Sequence, residues 1–266
     1  MSNASNGTAL ITGASSGIGA IYADRLASQG YNLILVARSK EKLCSLARKI
    51  SDKTGRLVEV VQADLAAPDG LGRIEDLLRT DQSITMLVNN AGVGATAPLL
   101  DSEVSAMEAM IALNVTASMR LAYAAAPAFV ARGYGTIINI ASVVAIAPEV
   151  LNGVYGGSKA FVLAFSQSLQ HELAGKGVRV QAVLPGATAT DFWNTAGTPV
   201  EHLPAEIVMP AEKMVDAALA GLELGELVTI PSLPDMADWD RFEAARQAMH
   251  PKLSLASPAA RYGVPA

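Results

Sequence analysis

Cysteine, histidine and charge are all scarce in this chain of 266 residues. The single cysteine, Cys44, excludes an internal disulfide and a zinc site built on paired cysteines. The three histidines, His171, His202 and His250, are scattered without ligand spacing, so no metal is expected. Charged residues make up 17% of the chain, against a usual share of about 25%. Together with 51% hydrophobic residues, this excludes a disordered chain and suggests surface buried between subunits. The formal net charge is −5 and no basic stripe occurs, so neither a nucleic-acid groove nor a membrane-binding patch is expected. The longest apolar run, Leu121 to Ala131, has 11 residues and contains Pro127. A membrane span needs about 18. The stretch Met1 to Gly7 is polar and has no apolar core of a secretion signal, so the expected location is the cytoplasm.

Short apolar runs alternate with stretches of helical periodicity. Thr8–Thr12, Leu33–Ala37, Val58–Gln62, Thr85–Asn89, Thr136–Ala141, Val178–Leu184 and Leu227–Ile230 read as strands. Runs that are apolar on both faces suit a parallel sheet covered on each side. Strands alternating with helices predict an α/β fold: one doubly wound domain with a seven-stranded parallel sheet and helices on both faces. The long helix expected from about Ser102 to Arg132 carries Pro127, which should kink it or end it early. The core is expected over 8–230. The proline-rich stretch 231–266, with a short helix near Asp238 to Met249, reads as a C-terminal extension of the single domain.

The first strand runs into Thr12-Gly13-Ala14-Ser15-Ser16-Gly17-Ile18-Gly19, and a helix follows. Glycines allow a tight turn and close approach to an anion, and a helix N-terminus offers free N–H groups to a phosphate. A Gly-rich turn with no ligand is the alternative for this motif alone. The second strand ends at Ala37-Arg38-Ser39. A carboxylate here would bind the ribose 2′-OH of NAD, whereas the Arg38 guanidinium suits the 2′-phosphate of NADP(H). Asp64-Leu65 and Asn89-Asn90-Ala91-Gly92 follow the third and fourth strands, at the strand ends where ligands bind in such sheets.

Tyr155-Gly-Gly-Ser-Lys159 opens a helix, and its i,i+4 spacing puts Tyr155 and Lys159 on one face. A nearby ammonium should lower the Tyr155 pKa from about 10 and make it a usable acid or base. Ser142 lies 13 residues upstream, at the end of the fifth strand, able to bond the same substrate oxygen.

Gly13/Gly17/Gly19, the run at 89–92, Ser142 and Tyr155-x-x-x-Lys159 together resemble the short-chain dehydrogenase/reductase family, in register from about residue 8 to 230. The resemblance implies a Rossmann-type fold and NADP(H)-dependent interconversion of a carbonyl and an alcohol. It implies that Tyr155 is the general acid/base, that Ser142 polarises the carbonyl, and that Lys159 holds the nicotinamide ribose. Asn114 in Leu113-Asn-Val-Thr116 matches the family's asparagine that completes a catalytic tetrad and supports a water. Pro185-Gly186-Ala-Thr188-Ala-Thr190 is similar to the segment that contacts the nicotinamide, although Ala187 and Thr188 replace the commoner Pro and Val. Val144 and the Phe192-Trp193 pair flank the catalytic level and suggest an apolar carbonyl substrate. A homodimer or homotetramer is expected, paired through the helices near 102–132 and 155–174, with Phe161, Leu169 and Leu173 partly covered. The alternative is a catalytically silent NADP-binding sensor on the same fold.

Overall fold

A computed structural model describes residues 6–264. The chain divides into two compact units, Met1–Pro231 and Ser232–Ala266. The polar stretch Met1 to Gly7, in which no secretion signal is expected, lies largely outside the described residues.

In the first unit, strands β1 (Thr8–Thr12), β2 (Asn32–Ala37), β3 (Val58–Gln62), β4 (Ile84–Asn89), β5 (Gly135–Ile140) and β6 (Val178–Val183) alternate with helices. These helices are α1 (Gly17–Ser28), α2 (Lys40–Thr54), α3 (Pro68–Thr80), α4 (Val104–Ile111), α5 (Ser118–Arg132) and α6 (Gly153–Leu173). A short excursion follows: β7 (Thr188–Ala189), α7 (Phe192–Ala196) and β8 (Met209–Pro210). The unit closes with α8 (Ala211–Leu224) and β9 (Val228–Thr229). Seven strands form one sheet in the order β3-β2-β1-β4-β5-β6-β9, and all six pairings are parallel.

The period of two along β1 explains the two layers. Ala9 and Ile11 face a core shared with Tyr22 and Leu26 of α1, Leu43 of α2 and Met214 of α8. Leu10 faces the opposite core, with Ile74 of α3, Leu121 and Phe129 of α5, and Leu169 of α6. Burying a leucine or isoleucine contributes about 1.5–3 kcal/mol, so each strand residue stabilises one layer or the other. β1 lies between β2 and β4. The chain therefore winds one way from β1 and returns to continue the other way, which leaves a crevice at the carboxyl ends of β1 and β4.

Three expectations change. Of the two effects expected of Pro127, an early end does not occur: α5 continues to Arg132, as the periodicity predicts, and ends at Gly133. The carbonyl that Pro127 leaves without its helical partner is that of Tyr123, an exposed residue, where solvent can serve it. Leu169 and Leu173 are buried within their own subunit's core rather than offered to a partner; Phe161 stays half-buried and stacks on Phe165. The stretch Val104–Arg132 is also long and apolar enough to cross a membrane by length and composition, with mean hydropathy 1.2. Over its apolar 18-residue portion 44% of the residues are buried, and the α5 part packs on the sheet, as a core helix does. Between α4 and α5 this helix widens into a π-helical segment, Ala112–Ala117.

The second unit holds α9 (Met236–Ala248). Asp235 caps it by accepting from the Ala237 N–H, and Trp239 packs on Phe242 with ring centres 5.3 Å apart.

Candidate active site

The loop between β1 and α1 sits at the crevice. Gly13 and Gly17 take φ of 64° and 52°, a region costly for other residues. A Cβ on Gly19 would stand 2.5 Å from both Asn90 Nδ2 and the Gly13 carbonyl. Ser16 precedes α1 in extended conformation, and its side chain does not cap the helix. The first N–H groups of α1 thus keep their capacity for an anion, reinforced by the helix dipole. Ser15 is half-buried and Ser16 exposed, while Ile18 packs into the core beneath. The Thr190 methyl would lie 3.2 Å from a Cβ on Gly17, so the segment after β7 reaches over the start of α1.

Asn90 does not face the crevice with free amide protons. Its Nδ2 donates to the carbonyls of Thr12 and Gly13, at 2.9 and 3.2 Å. Thr12, which the sequence reading passed over, accepts at Oγ1 from the N–H groups of Asn90 and Ala91, each at 3.0 Å. Its own hydroxyl donates to the Val88 carbonyl. Thr12 and Asn90 thus lock the glycine loop between β1 and α1 to the end of β4. Only the hydroxyl at the end of an apolar strand hinted at it.

At the end of β2, Arg38 is exposed, and its guanidinium makes no ion pair or hydrogen bond among the described residues. Gln62 Nε2 holds the Arg38 carbonyl at 3.0 Å. Three other expected contact residues have local duties. Ser39 caps α2 by accepting from the Lys42 N–H. Asp64 Oδ1 accepts from the Ala66 N–H, an Asx turn. The Leu65 side chain belongs to the core, which leaves only its backbone for a ligand.

Deeper in the crevice, Ser142, Tyr155, Lys159 and Asn114 are all buried and lie together. Asn152 caps the start of α6 by accepting from the N–H groups of Val154 and Tyr155, and the helix then carries Tyr155 and Lys159 on one face. Lys159 Nζ donates to the Ile140 carbonyl at 2.8 Å and lies 5.9 Å from the Tyr155 ring centre. Burial brings its pKa down to about 8. Burial also pushes Tyr155 up to about 12, with a hydrogen bond from Ser142 pulling in the opposite direction. This overturns the expected lowering of the Tyr155 pKa: loss of hydration outweighs the Ser142 hydrogen bond. Ser142 Oγ is held by the Pro185 carbonyl at 3.3 Å, and the Val143 N–H donates to the same oxygen at 3.0 Å. Thr188 Oγ1 donates to the Gly186 carbonyl. The sheet end and the Pro185–Thr190 segment are thereby joined.

Asn114 sits in the π-helical segment. Its Nδ2 donates to the Val93 carbonyl at 2.8 Å and to Ser158 Oγ at 3.1 Å, and its Oδ1 accepts from the Val93 N–H. Gly92 stands next to it: a Cβ there would be 3.1 Å from Asn114 Oδ1 and 3.5 Å from Lys159 Nζ. Val144 and Met110 pack on Tyr155, with Ala95, Met107 and Phe192 around them. Phe192 tilts over Tyr155, ring centres 5.8 Å apart. Trp193 departs from expectation. It is buried, and its Nε1 donates to the Thr188 carbonyl at 3.0 Å, so it braces the segment rather than lining the cleft. Successive residues on a helix point about 100° apart, which separates the two aromatics. Among the described residues no cluster of His, Cys, Asp and Glu could hold a metal.

The model of the short chain dehydrogenase family matches residues 7–200. A short-chain dehydrogenase from Sphingobium yanoikuyae, solved in complex with NADPH, is 48% identical with a TM-score of 0.92, covering 95% of this chain and 98% of its own. A bulky-bulky ketone specific alcohol dehydrogenase from Comamonas testosteroni is 44% identical with a TM-score of 0.90, covering 97% and 99%. Human 17-beta-hydroxysteroid dehydrogenase type 3 is 35% identical over 221 residues, which span 82% of this chain and 68% of the relative.

Proposed function

Since the chain belongs to the short-chain dehydrogenase family, we propose that it is an NADP(H)-dependent oxidoreductase interconverting a ketone and a secondary alcohol, with Tyr155 as general acid/base. The observation that carries the reading is the convergence of Ser142, Tyr155 and Lys159 in one buried, largely apolar recess.

The residues present fit the cofactor. The uncapped start of α1 and the glycines beneath it form a cradle for a pyrophosphate, with Ser15, Ser16 and Thr190 at its edge. Arg38, free of carboxylate partners among the described residues, would take the 2′-phosphate bidentately. Gly92 leaves the space beside Asn114 and Lys159 open for the nicotinamide ribose. When bound, the cofactor supplies the hydride. The NADPH complex of the Sphingobium relative supports the choice of cofactor.

The chain's own part is to hold the carbonyl and to move a proton. Tyr155, raised to about 12, is protonated at neutral pH and gives its phenolic proton to the carbonyl oxygen. Ser142 Oγ turns its proton from the Pro185 carbonyl to that oxygen and fixes its place. Lys159, near its titration point at about 8, exchanges protons readily at physiological pH. Asn114 holds the 93 backbone and Ser158, which keeps the floor of the site rigid.

The apolar wall of Val144, Met110 and Phe192 favours an apolar ketone. The Comamonas relative's preference and the steroid dehydrogenase support a substrate with two bulky substituents. The assembly in this reading is a homodimer or homotetramer. Its support is the stack of Phe161, Phe165 and the exposed Tyr123 on the outer face of α5 and α6. A cytoplasmic enzyme completes the reading, supported by the partial burial of the long apolar helix Val104–Arg132. The test is NADPH oxidation against graded ketones: turnover of diaryl or steroid ketones is expected, and a chain that binds NADPH but reduces none overturns the reading in favour of a silent sensor.

A further inference from the structure

Asn152 does more than cap a helix. It is buried, three residues before Tyr155, and all four hydrogen-bonding positions of its amide are used. Oδ1 accepts from the N–H groups of Val154 at 2.9 Å and Tyr155 at 3.3 Å. Nδ2 donates to the Ala97 carbonyl at 2.7 Å and to Ser102 Oγ at 3.1 Å. Serine, threonine or aspartate would cap the helix as well. Of the capping residues only asparagine carries two donors beside the acceptor oxygen. The choice of side chain is therefore explained by the second pair of bonds.

Those bonds hold the strap 95–102. At its other end Thr96 donates from both N and Oγ1 to the Ala196 carbonyl, each at 3.0 Å, at the end of the α7 helix that carries Phe192. Next to Thr96, Ala95 packs in the Tyr155 cluster. Ser102 Oγ also donates to the Pro98 carbonyl and rounds off the turn.

We propose that Asn152 is a positioning residue with two separable duties: its oxygen seats Tyr155, and its nitrogen fixes the strap 95–102 as the wall that selects bulky ketones. The inference rests on the reading of Tyr155 as proton donor.

Asn152→Asp keeps both acceptor bonds and deletes both donors, setting a carboxylate oxygen against the Ala97 carbonyl. Asn152→Ala deletes all four. With NADPH and two probes, benzophenone and 2-butanone, Asn152→Asp should raise KM for benzophenone about tenfold, a loss on the scale of one buried hydrogen bond, with kcat within about threefold. KM for 2-butanone and the NADPH Kd should stay within about twofold, because the phosphate loop and Arg38 are untouched. Asn152→Ala should lower kcat for both ketones by a further tenfold or so, since Tyr155 loses its seat. A purely structural cap would affect both ketones alike, and Asn152→Asp would then behave as the parent. If Asn152→Asp does not fold, Ser102→Ala decides: it removes one of the two Asn152 strap bonds, together with the turn bonds of Ser102 itself, without touching α6, and an unchanged benzophenone-to-butanone KM ratio overturns the proposal. A parent that turns over neither ketone overturns the functional reading itself, whereas an active parent with an indifferent Asn152→Asp overturns this inference alone.

Discussion

Lys159 Nζ lies 5.9 Å from the centre of the Tyr155 ring while giving a 2.8 Å hydrogen bond to the Ile140 carbonyl. The two groups are thus neighbours in the same dry recess, and burial moves their pKa values in opposite directions. Each keeps more of its neutral form than it would in water.

The first consequence is for stability. Lys159 titrates at about 8 in the fold against 10.5 in the unfolded chain. Between these values the unfolded chain binds more protons, so stability rises with pH across that window. Below about 8 the buried ammonium is a standing penalty. Lys159→Met keeps the long apolar stem and removes the charge. Its urea midpoint should exceed the parent's at pH 7, and the parent's gain between pH 8 and 10 should be absent in the variant. Parallel midpoints over that range would contradict the burial of a charged Lys159.

Tyr155→Phe deletes only the hydroxyl. General acid catalysis contributes about 10²–10⁴-fold, so kcat should fall at least about a hundredfold. NADPH affinity measured by fluorescence titration should change by no more than a few-fold. Because Tyr155 stays protonated up to about 12, ketone reduction by the parent should show no tyrosine titration between pH 6 and 10. A falling limb near 10 assigned to Tyr155 would show that the phenol is far better solvated than the geometry allows.

Cofactor choice should follow the end of β2. Arg38 makes no ion pair among the described residues, and Ala37 supplies no carboxylate. One charge-assisted pair contributes roughly 1.5–3 kcal/mol, so NADPH should bind at least about tenfold more tightly than NADH. Ala37→Asp combined with Arg38→Leu should invert that order in calorimetric titrations. Equal dissociation constants in the parent would remove Arg38 from cofactor recognition.

The glycine loop between β1 and α1 is open to a separate test. Gly19→Ala would press a methyl to 2.5 Å from Asn90 Nδ2 and the Gly13 carbonyl, so the loop must shift. NADPH affinity should fall by at least about tenfold, the scale of one lost charge-assisted contact. Thr12→Val leaves the Asn90 and Ala91 N–H groups without their acceptor and should cost about 1–3 kcal/mol of stability by chemical denaturation. A Thr12→Val protein as stable as the parent would mean water takes over both bonds.

The residues legible from the sequence were those whose role is written in residue type and local spacing. The strand runs, the glycines at 13, 17 and 19, and Tyr155 with Lys159 needed only a period or a short interval. Thr12, Asn152 and the commitment of Asn90 were hidden because their partners lie far along the chain: Thr12 meets Asn90 78 positions away, and Asn152 meets Ala97 at 55. The direction of the Tyr155 pKa was misjudged for a related reason. Spacing shows that an ammonium is near but does not show that water is gone. Trp193 was misassigned because adjacency to Phe192 says nothing about which side of a one-turn helix faces the cleft.

The π-helical segment Ala112–Ala117 has a geometric consequence beyond holding Asn114. An α-helix advances about 100° per residue, and a π turn takes up one residue more than an α turn. The single extra residue therefore twists α4 by roughly a quarter revolution against α5. Met107 and Met110 of α4 can then look toward Tyr155, while Leu121 and Ala125 of α5 look toward the sheet. One continuous rod thus serves two surfaces that a helix of uniform pitch would present at a different relative angle, and the shape of the cleft is tied to the count of residues in one turn.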